Sequence, residues 1–189
     1  MGVLTYKAYL MYLREFRKEK NMHYLGIFSG IFWVEFLIKT LVEKKGKTGV
    51  TKPLFGGKIL LKKYYNKGFA LNVMEKNPKV VAGISLVLMI MVSVVALVFG
   101  SKWNGLIKTG FAFLLGGAYS NTYDRLYRKY VVDYFSIGVK HKRLQSLVFN
   151  LADFCILTGA VLIAIGGMTD ENIGKRKICS KSDGGPGGA

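Results

Sequence analysis

Apolar and polar residues in this chain fall into long blocks instead of alternating at a fixed period. The longest charge-free block, VVAGISLVLMIMVSVVALVF, fills residues 80–99. At about 1.5 Å per residue, a helix of that length is about 30 Å long, the thickness of a bilayer's hydrocarbon core. Pro78 stands just before it, where the first turn of a helix tolerates proline. Similar blocks cover residues 24–42 (with Glu35 and Lys39 inside), 105–121 (with Lys108 near one end) and 147–168 (with Asp153 as the one charge). Only Gly100, Ser101 and Lys102 clearly separate the second block from the third, which predicts a tight helical hairpin. The pattern predicts an all-α membrane protein with four transmembrane helices, built as one membrane domain over 1–189. Helices suit that setting because they satisfy their own backbone hydrogen bonds where lipid cannot.

The segments between the blocks differ in character. In residues 1–23, Tyr6, Tyr9, Leu10, Leu13 and Phe16 recur at helical spacing beside Lys7, Arg14, Arg17, Lys18 and Lys20. This predicts an N-terminal amphipathic helix lying on the membrane surface. The same stretch lacks an apolar core of about 7–15 residues ahead of a small-residue cleavage site, so no cleavable leader is expected. Residues 43–77 are too long for a mere connector, and the run KILLKKYYNKGFALNVM predicts a small strand-containing cap near the interface. The 120–146 loop includes YVVDYF, a short β-branched and aromatic run with one Asp. The polar tail, 169–189, ends KSDGGPGGA and reads as disordered.

Charge and composition narrow the class further. There are 28 Lys and Arg against 11 Asp and Glu, a net charge of +17. A sequence pI near 9.9 suggests nucleic acid at first, but the uncharged blocks point instead to a membrane protein with basic flanks. No nucleic-acid partner is expected, and membrane lipids are. An apolar content of 51% excludes a disordered chain. Two cysteines, Cys155 and Cys179, exclude a disulfide scaffold. His23 and His141 are the two histidines, with no Cys or carboxylate cluster at ligand spacing, so no metal or other cofactor is expected. Charge does not orient the chain: five basic residues precede the first span, and Lys44, Lys45, Lys47, Lys52 and Lys58 follow it.

Ionisable groups inside apolar blocks are costly and mark function. Asp153 lies six residues into the last block, about 9 Å along a helix, with Asn150 three residues before it on the same face. Asn121 and Asp124 repeat that spacing at the end of the third block, Arg125 follows, and Asp133 sits in the apolar run VVDYF. Two carboxylates brought together in a low dielectric cannot both ionise easily. An aspartic protease uses that split, one group activating water and the other protonating the carbonyl and then the amine. The residues alone leave alternatives: Asp124 and Arg125 as a structural ion pair, Asp153 and Glu35 as relay carboxylates of a small transporter, or a non-catalytic adaptor. Spacing does not say which two of the three Asp residues meet.

GGAYSNTYDR (116–125), VVDYF (131–135) and FNLADF (149–154) resemble, in order and spacing, the GGAxGNxxDR, VVDF and FNxAD motifs of bacterial lipoprotein signal peptidases, the signal peptidase II family. Glu35-Phe-Leu-Ile-Lys39 falls where that family has DQxxK, and Asn66-Lys67-Gly68-Phe69-Ala70 resembles its NxGAAF segment. The resemblance covers about residues 24 to 168 and implies an aspartic endopeptidase with Asp133 and Asp153 as its catalytic pair. Asn121, Asp124, Arg125, Asn150 and Ala152 match polar or motif positions around that pair. Asn66 and Gly68 match the extracytoplasmic cradle, and Glu35 and Lys39 match the polar pair of the first helix. The implied reaction removes the signal peptide of a prolipoprotein just before its diacylglyceryl-modified Cys, with no metal. The resemblance further implies a bacterial cell membrane, cytoplasmic termini and a site near the outer leaflet. The enzyme is expected to act as a monomer. Glu35 in place of Asp, Phe36 in place of Gln, Ser120 in place of Gly, and Phe69 and Leu71 in the cradle depart from the pattern; a catalytically inactive relative is the corresponding alternative.

Overall fold

A computed structural model of the chain describes residues 2–68, 74–139, 145 and 147–182, with side chains described between 22 and 169 of that range. Among the described residues, four α-helices and three strands follow in the order α1 (Gly2–Lys45), β1 (Thr51–Leu54), β2 (Ile59–Asn66), α2 (Pro78–Phe99), α3 (Gly105–Tyr127), β3 (Val131–Ile137) and α4 (Leu151–Ser182). Helix α2 starts with Pro78 in its first turn and reaches α3 through a single 3₁₀ turn at Gly100–Lys102. The Asn104 side chain then caps α3 by accepting from Ile107 N at 2.9 Å. That is the tight hairpin expected between the two blocks.

Burial is inverted relative to a water-soluble domain. Leu97 is 83% exposed, and Met91, Val98, Leu157 and Met168 are exposed too, while Glu35, Lys39, Asp124, Asp133 and Asn150 are buried. An apolar shell around a polar interior suits lipid surroundings. Among the described residues three helical segments are long and apolar enough to cross a membrane: Met22–Lys45, Pro78–Lys102 and Leu151–Thr169. Helix α3 is not one of them. It carries Lys108, Asn121, Asp124 and Arg125, and it packs centrally against α1, α2 and α4. A helix enclosed by three others can hold polar groups that lipid would exclude.

Close approach of α3 and α4 depends on glycine. A Cβ added at Gly117 would lie 2.5 Å from Ala152 O, and one at Gly159 would lie 2.5 Å from Gly110 O. With no Cβ there, the two backbones touch, as small residues permit between membrane helices. Helix α1 packs on α3 through an aromatic cluster in which Phe32 and Phe36 meet Tyr123 edge-on, at 6.2 and 5.6 Å. Ser93 of α2 and Tyr119 of α3 share a hydrogen bond of 3.2 Å.

The strands form one antiparallel sheet in the order β1-β2-β3. Two come from the expected 43–77 cap, and the third is VVDYF with its flanks, drawn in from the following loop. Val131 and Val132 suit extended backbone and are buried. A register shift between Leu61 and Tyr64 brings Tyr64 opposite Asp133 and Asn66 opposite Val131. The free side of β3 is covered by Phe149, which donates to Phe135 O at 2.7 Å and accepts from Tyr134 N at 3.0 Å.

Three boundaries differ from those the sequence predicts. The segment expected to be a surface helix and the first span form one continuous helix, α1, because no proline interrupts the run; the side chains of 1–21 lie outside the described residues. The last helix begins at Leu151 instead of 147, because pairing with β3 holds Phe149 extended and Asn150 caps the helix. Helix α4 then continues to Ser182, into the tail expected to be disordered, with no proline before Pro186 to end it. Phe69, Leu71, His141 and 183–189 lie outside the described residues.

Candidate active site

The site lies at the end of the bundle where α1 and α3 finish, α4 begins and β3 crosses between them. Asp153 is not six residues deep in a helix, as the block boundaries suggested. It is the third residue of α4, and with Asn150 it forms a reciprocal cap. Asp153 N donates to Asn150 Oδ1 at 3.0 Å, and Asn150 N donates to Asp153 Oδ2 at 3.1 Å. Placed in the first turn, the carboxylate faces the positive end of the helix dipole. Asn150 also donates from Nδ2 to Asp133 Oδ1 at 2.6 Å. One residue therefore touches both carboxylates, through its backbone on one and its side chain on the other.

Three asparagine amides hold the two Asp residues in the same way. Asn66 donates to Asp133 Oδ2 at 3.1 Å and accepts from Gly68 N at 3.0 Å. Asn121 donates to Asp153 Oδ1 at 2.9 Å and accepts from Lys39 Nζ at 2.7 Å. Asn150 donates to Asp133 and accepts from Asp153 N. Each amide turns its oxygen to an N–H donor and its NH₂ to a carboxylate, which fixes its orientation. All four carboxylate oxygens accept one hydrogen bond from a protein N–H and keep lone pairs for other partners. Burial, and then the charge of Asp153, raise the Asp133 carboxyl to about 7; the hydrogen bonds from Asn150 and Asn66 pull the other way.

Beneath the pair lies a buried ionic layer centred on Lys39, which is 1% exposed. Its Nζ lies 3.1 Å from Asp124 Oδ2, 3.6 Å from Glu35 Oε1 and 3.1 Å from Ser120 Oγ, besides Asn121. An ammonium buried this deeply persists only when so partnered. Glu35 accepts from Ala152 N at 3.2 Å and from the Tyr134 hydroxyl at 2.8 Å. That hydroxyl accepts in turn from Leu151 N at 3.0 Å. Asp124 accepts from Val132 N at 3.3 Å and pairs with Arg128 at 3.3 Å. Lys39 and Arg128 are thus both ionic partners of Asp124. Arg125 donates to Gly68 O at 3.1 Å, tying the cap to α3.

Every residue singled out from the sequence falls into this one network: Asp133, Asp153, Asn121, Asp124, Arg125, Asn150, Ala152, Asn66, Gly68, Glu35 and Lys39. Sequence reasoning missed Tyr134 and Arg128. The signal for Tyr134 was a hydroxyl-bearing aromatic directly beside Asp133 in an otherwise apolar run. Arg128 lies four residues after Asp124, on the same helix face. Three departures from the motif pattern gather at one spot: Glu35 and Ser120 both reach Lys39, and the Phe36 ring lies 5.9 Å from the Arg128 guanidinium.

This is a polar, two-carboxylate centre enclosed by apolar helices, the construction of an intramembrane peptidase. Comparison with known proteins agrees. A sequence model of the family described as signal peptidase (SPase) II matches residues 27–169. The lipoprotein signal peptidase of Lactobacillus johnsonii is 29% identical over 155 residues, 78% of this chain and 93% of that protein. The one from Caldicellulosiruptor bescii is 33% identical over 144 residues, 75% of this chain and 88% of that protein. A solved bacterial membrane enzyme shares the fold with a TM-score of 0.69 at 19% identity, covering 79% of this chain and 89% of its own. A second such structure gives 0.64, also at 19% identity, over 76% and 90%. The chain belongs to the signal peptidase II family. It is a bacterial membrane protease of the aspartic class, and it cleaves the signal peptides of lipoproteins.

Proposed function

We propose that Asp133 and Asp153 are the catalytic pair, and that the substrate is a diacylglyceryl-modified prolipoprotein cut just before its lipidated Cys. The observation that carries the assignment is Asn150, hydrogen-bonded to both carboxylates within one residue's span. Asp133, raised to about 7, holds the shared proton near neutral pH. Asp153 takes a proton from a water as its oxygen attacks the scissile carbonyl, and Asp133 gives its proton to the carbonyl oxygen. The gem-diol then collapses: the C–N bond breaks, Asp153 protonates the leaving amine of the Cys, and a gem-diol hydroxyl returns a proton to Asp133. The pair ends as it began, with one proton between two carboxylates.

The other residues position this pair. Asn66, Asn121 and Asn150 orient the carboxylates. Lys39, Glu35 and Asp124 lock α1, α3 and α4 together beneath them, with the Ala152 amide as one of the ties. Arg125 and Gly68 fasten the cap segment over the site. In this reading α3 is the fourth crossing of the bilayer, its polar face turned inward. The helices are antiparallel, so both termini and the 100–104 hairpin share one face, which we assign to the cytoplasm. The cap and the carboxylate pair then lie at the outer leaflet, where a lipid-anchored Cys would present its peptide bond. One chain contains the whole network, so a monomer suffices, with the lipidated substrate and the surrounding lipids as its partners.

The test is cleavage in proteoliposomes by the purified chain of a diacylglyceryl-modified precursor and its unmodified counterpart. Cleavage of the lipidated form alone is expected. Proton flux across the vesicle without cleavage of either precursor would replace this reading with the relay one.

A further inference from the structure

We infer that the chain carries a second lipid site, which borders the peptidase network at Tyr134: a lysine-rimmed cavity under the cap that takes the head group of an anionic phospholipid. The cavity measures about 590 Å³ and lies between the end of α1 and the sheet. Leu41, Val42, Val50 and Leu61 give it an apolar lining, and Lys45, Lys47, Lys52, Lys62 and Lys63 surround it.

Two of these lysines have partners inside the protein. Lys63 donates to Glu43 O at 2.8 Å and pairs with Glu43 Oε1 at 3.6 Å. Lys62 donates to Gln145 O at 2.8 Å. Lys45, Lys47 and Lys52 are exposed, and their side chains have no hydrogen bond or ion pair among the described residues. No carboxylate lines the cavity. Three lysines without a partner among the described residues line an apolar hollow that no carboxylate enters, an arrangement that favours an anion there. Burial already disfavours the Lys62 ammonium, a cost that a phosphate nearby would offset.

The surroundings point to a lipid as the source of that anion. Leu41, on the lining, is 53% exposed on a helix apolar enough to cross a membrane. Val50, Leu54 and Phe55 project from the adjoining edge of the sheet, Phe55 at 77% exposure. An exposed apolar rim beside lysines is what an interfacial surface requires: the acyl chains lie along α1 while the phosphate meets the ammonium groups.

The test is native mass spectrometry of the full chain released from nanodiscs of phosphatidylcholine in which phosphatidylglycerol makes up about a quarter of the lipid. The wild type should retain phosphatidylglycerol in preference to phosphatidylcholine. The triple variant Lys45→Gln, Lys47→Gln, Lys52→Gln should lose at least about tenfold in that affinity, and the corresponding Lys→Arg triple should keep it. Lys67→Gln, Lys76→Gln, Lys79→Gln removes as much charge elsewhere and should leave retention unchanged. An equal loss in that control would mean undirected attraction and overturn the site. Displacement of the lipid by inorganic phosphate at equal concentration would assign the cavity to a free anion and overturn it as well. The readout is retention, so it stands or falls independently of cleavage.

Discussion

Asn150 Nδ2 donates to Asp133 Oδ1 at 2.6 Å, the shortest of the hydrogen bonds that hold the two carboxylates. The residue making this bond is also the cap of the helix that carries Asp153. The geometry of the proposed catalytic pair and helix initiation therefore depend on the same amide. Asn150→Ala should lower kcat on a lipidated precursor by about 10²-fold or more, since displacements near 1 Å cost that much. Loss of the cap should also lower stability by about 1 kcal/mol. Asn150→Asp should restore part of the stability but not the activity, because it sets a third carboxylate against Asp133. A kcat assay paired with thermal unfolding in detergent distinguishes the two effects.

The Asp133 carboxyl, lifted from 3.8 to about 7, gives activity a direction with pH. Its proton is present below that value and lost above it, so cleavage should fall as pH rises through about 7. Stability carries the same sign. The folded state binds a proton that the unfolded chain has released, so stability declines as pH rises from 3.8 to about 7 and stays at its lower level above. Asn66 and Asn150 both favour the charged form. Asn66→Ala should therefore move the alkaline limb of the pH–rate profile to higher pH. A limb that stays in place or moves lower contradicts the role given to Asn66.

Gly117 sets how near α3 comes to α4. An alanine there would place its Cβ 2.5 Å from Ala152 O, which is backbone and cannot turn aside. The helices must separate, and Asn121, one turn further along α3, moves away from Asp153. Gly117→Ala should cost about 1–3 kcal/mol from overpacking and reduce cleavage more than tenfold. Gly83, which has nothing within 4 Å of an added Cβ, is the matched control and should tolerate alanine.

The apolar blocks made three of the helices legible, and the ordered motifs carried the site. Three things were not legible. The start of α4 was misplaced because Leu147, Val148 and Phe149 are as apolar as the helix they precede; hydropathy does not register that Phe149 pairs with β3. The centre of Lys39's ionic layer was hidden for a related reason. Glu35 and Lys39 show as an i, i+4 pair on one helix, but Asp124 lies 85 positions beyond Lys39 and meets it only when α1 and α3 pack. Tyr134 escaped notice because its aromatic ring fits a strand pattern, and only its contact with Glu35 reveals what the hydroxyl does.

That buried layer gives a graded prediction. Lys39→Met takes away the cation shared by Glu35 and Asp124, leaving Arg128 to Asp124 alone, and should destabilise the protein by about 3–5 kcal/mol. Glu35→Asp restores the residue of the family pattern but shortens the side chain by one methylene. It should lose either the Tyr134 or the Ala152 hydrogen bond and lower activity only a few-fold. Tyr134→Phe on the Glu35→Asp background should then add less than it does alone. Full additivity in that cycle would mean that the two side chains act independently.

The most direct measurement of the central claim is single-turnover cleavage of a diacylglyceryl-modified precursor by purified Asp133→Asn and Asp153→Asn, each confirmed to be inserted and folded. Both should be inactive, because neither retains a carboxylate pair that can share one proton, while Cys155→Ser should cleave at close to the wild-type rate. Wild-type-level processing by either Asp variant would contradict the account.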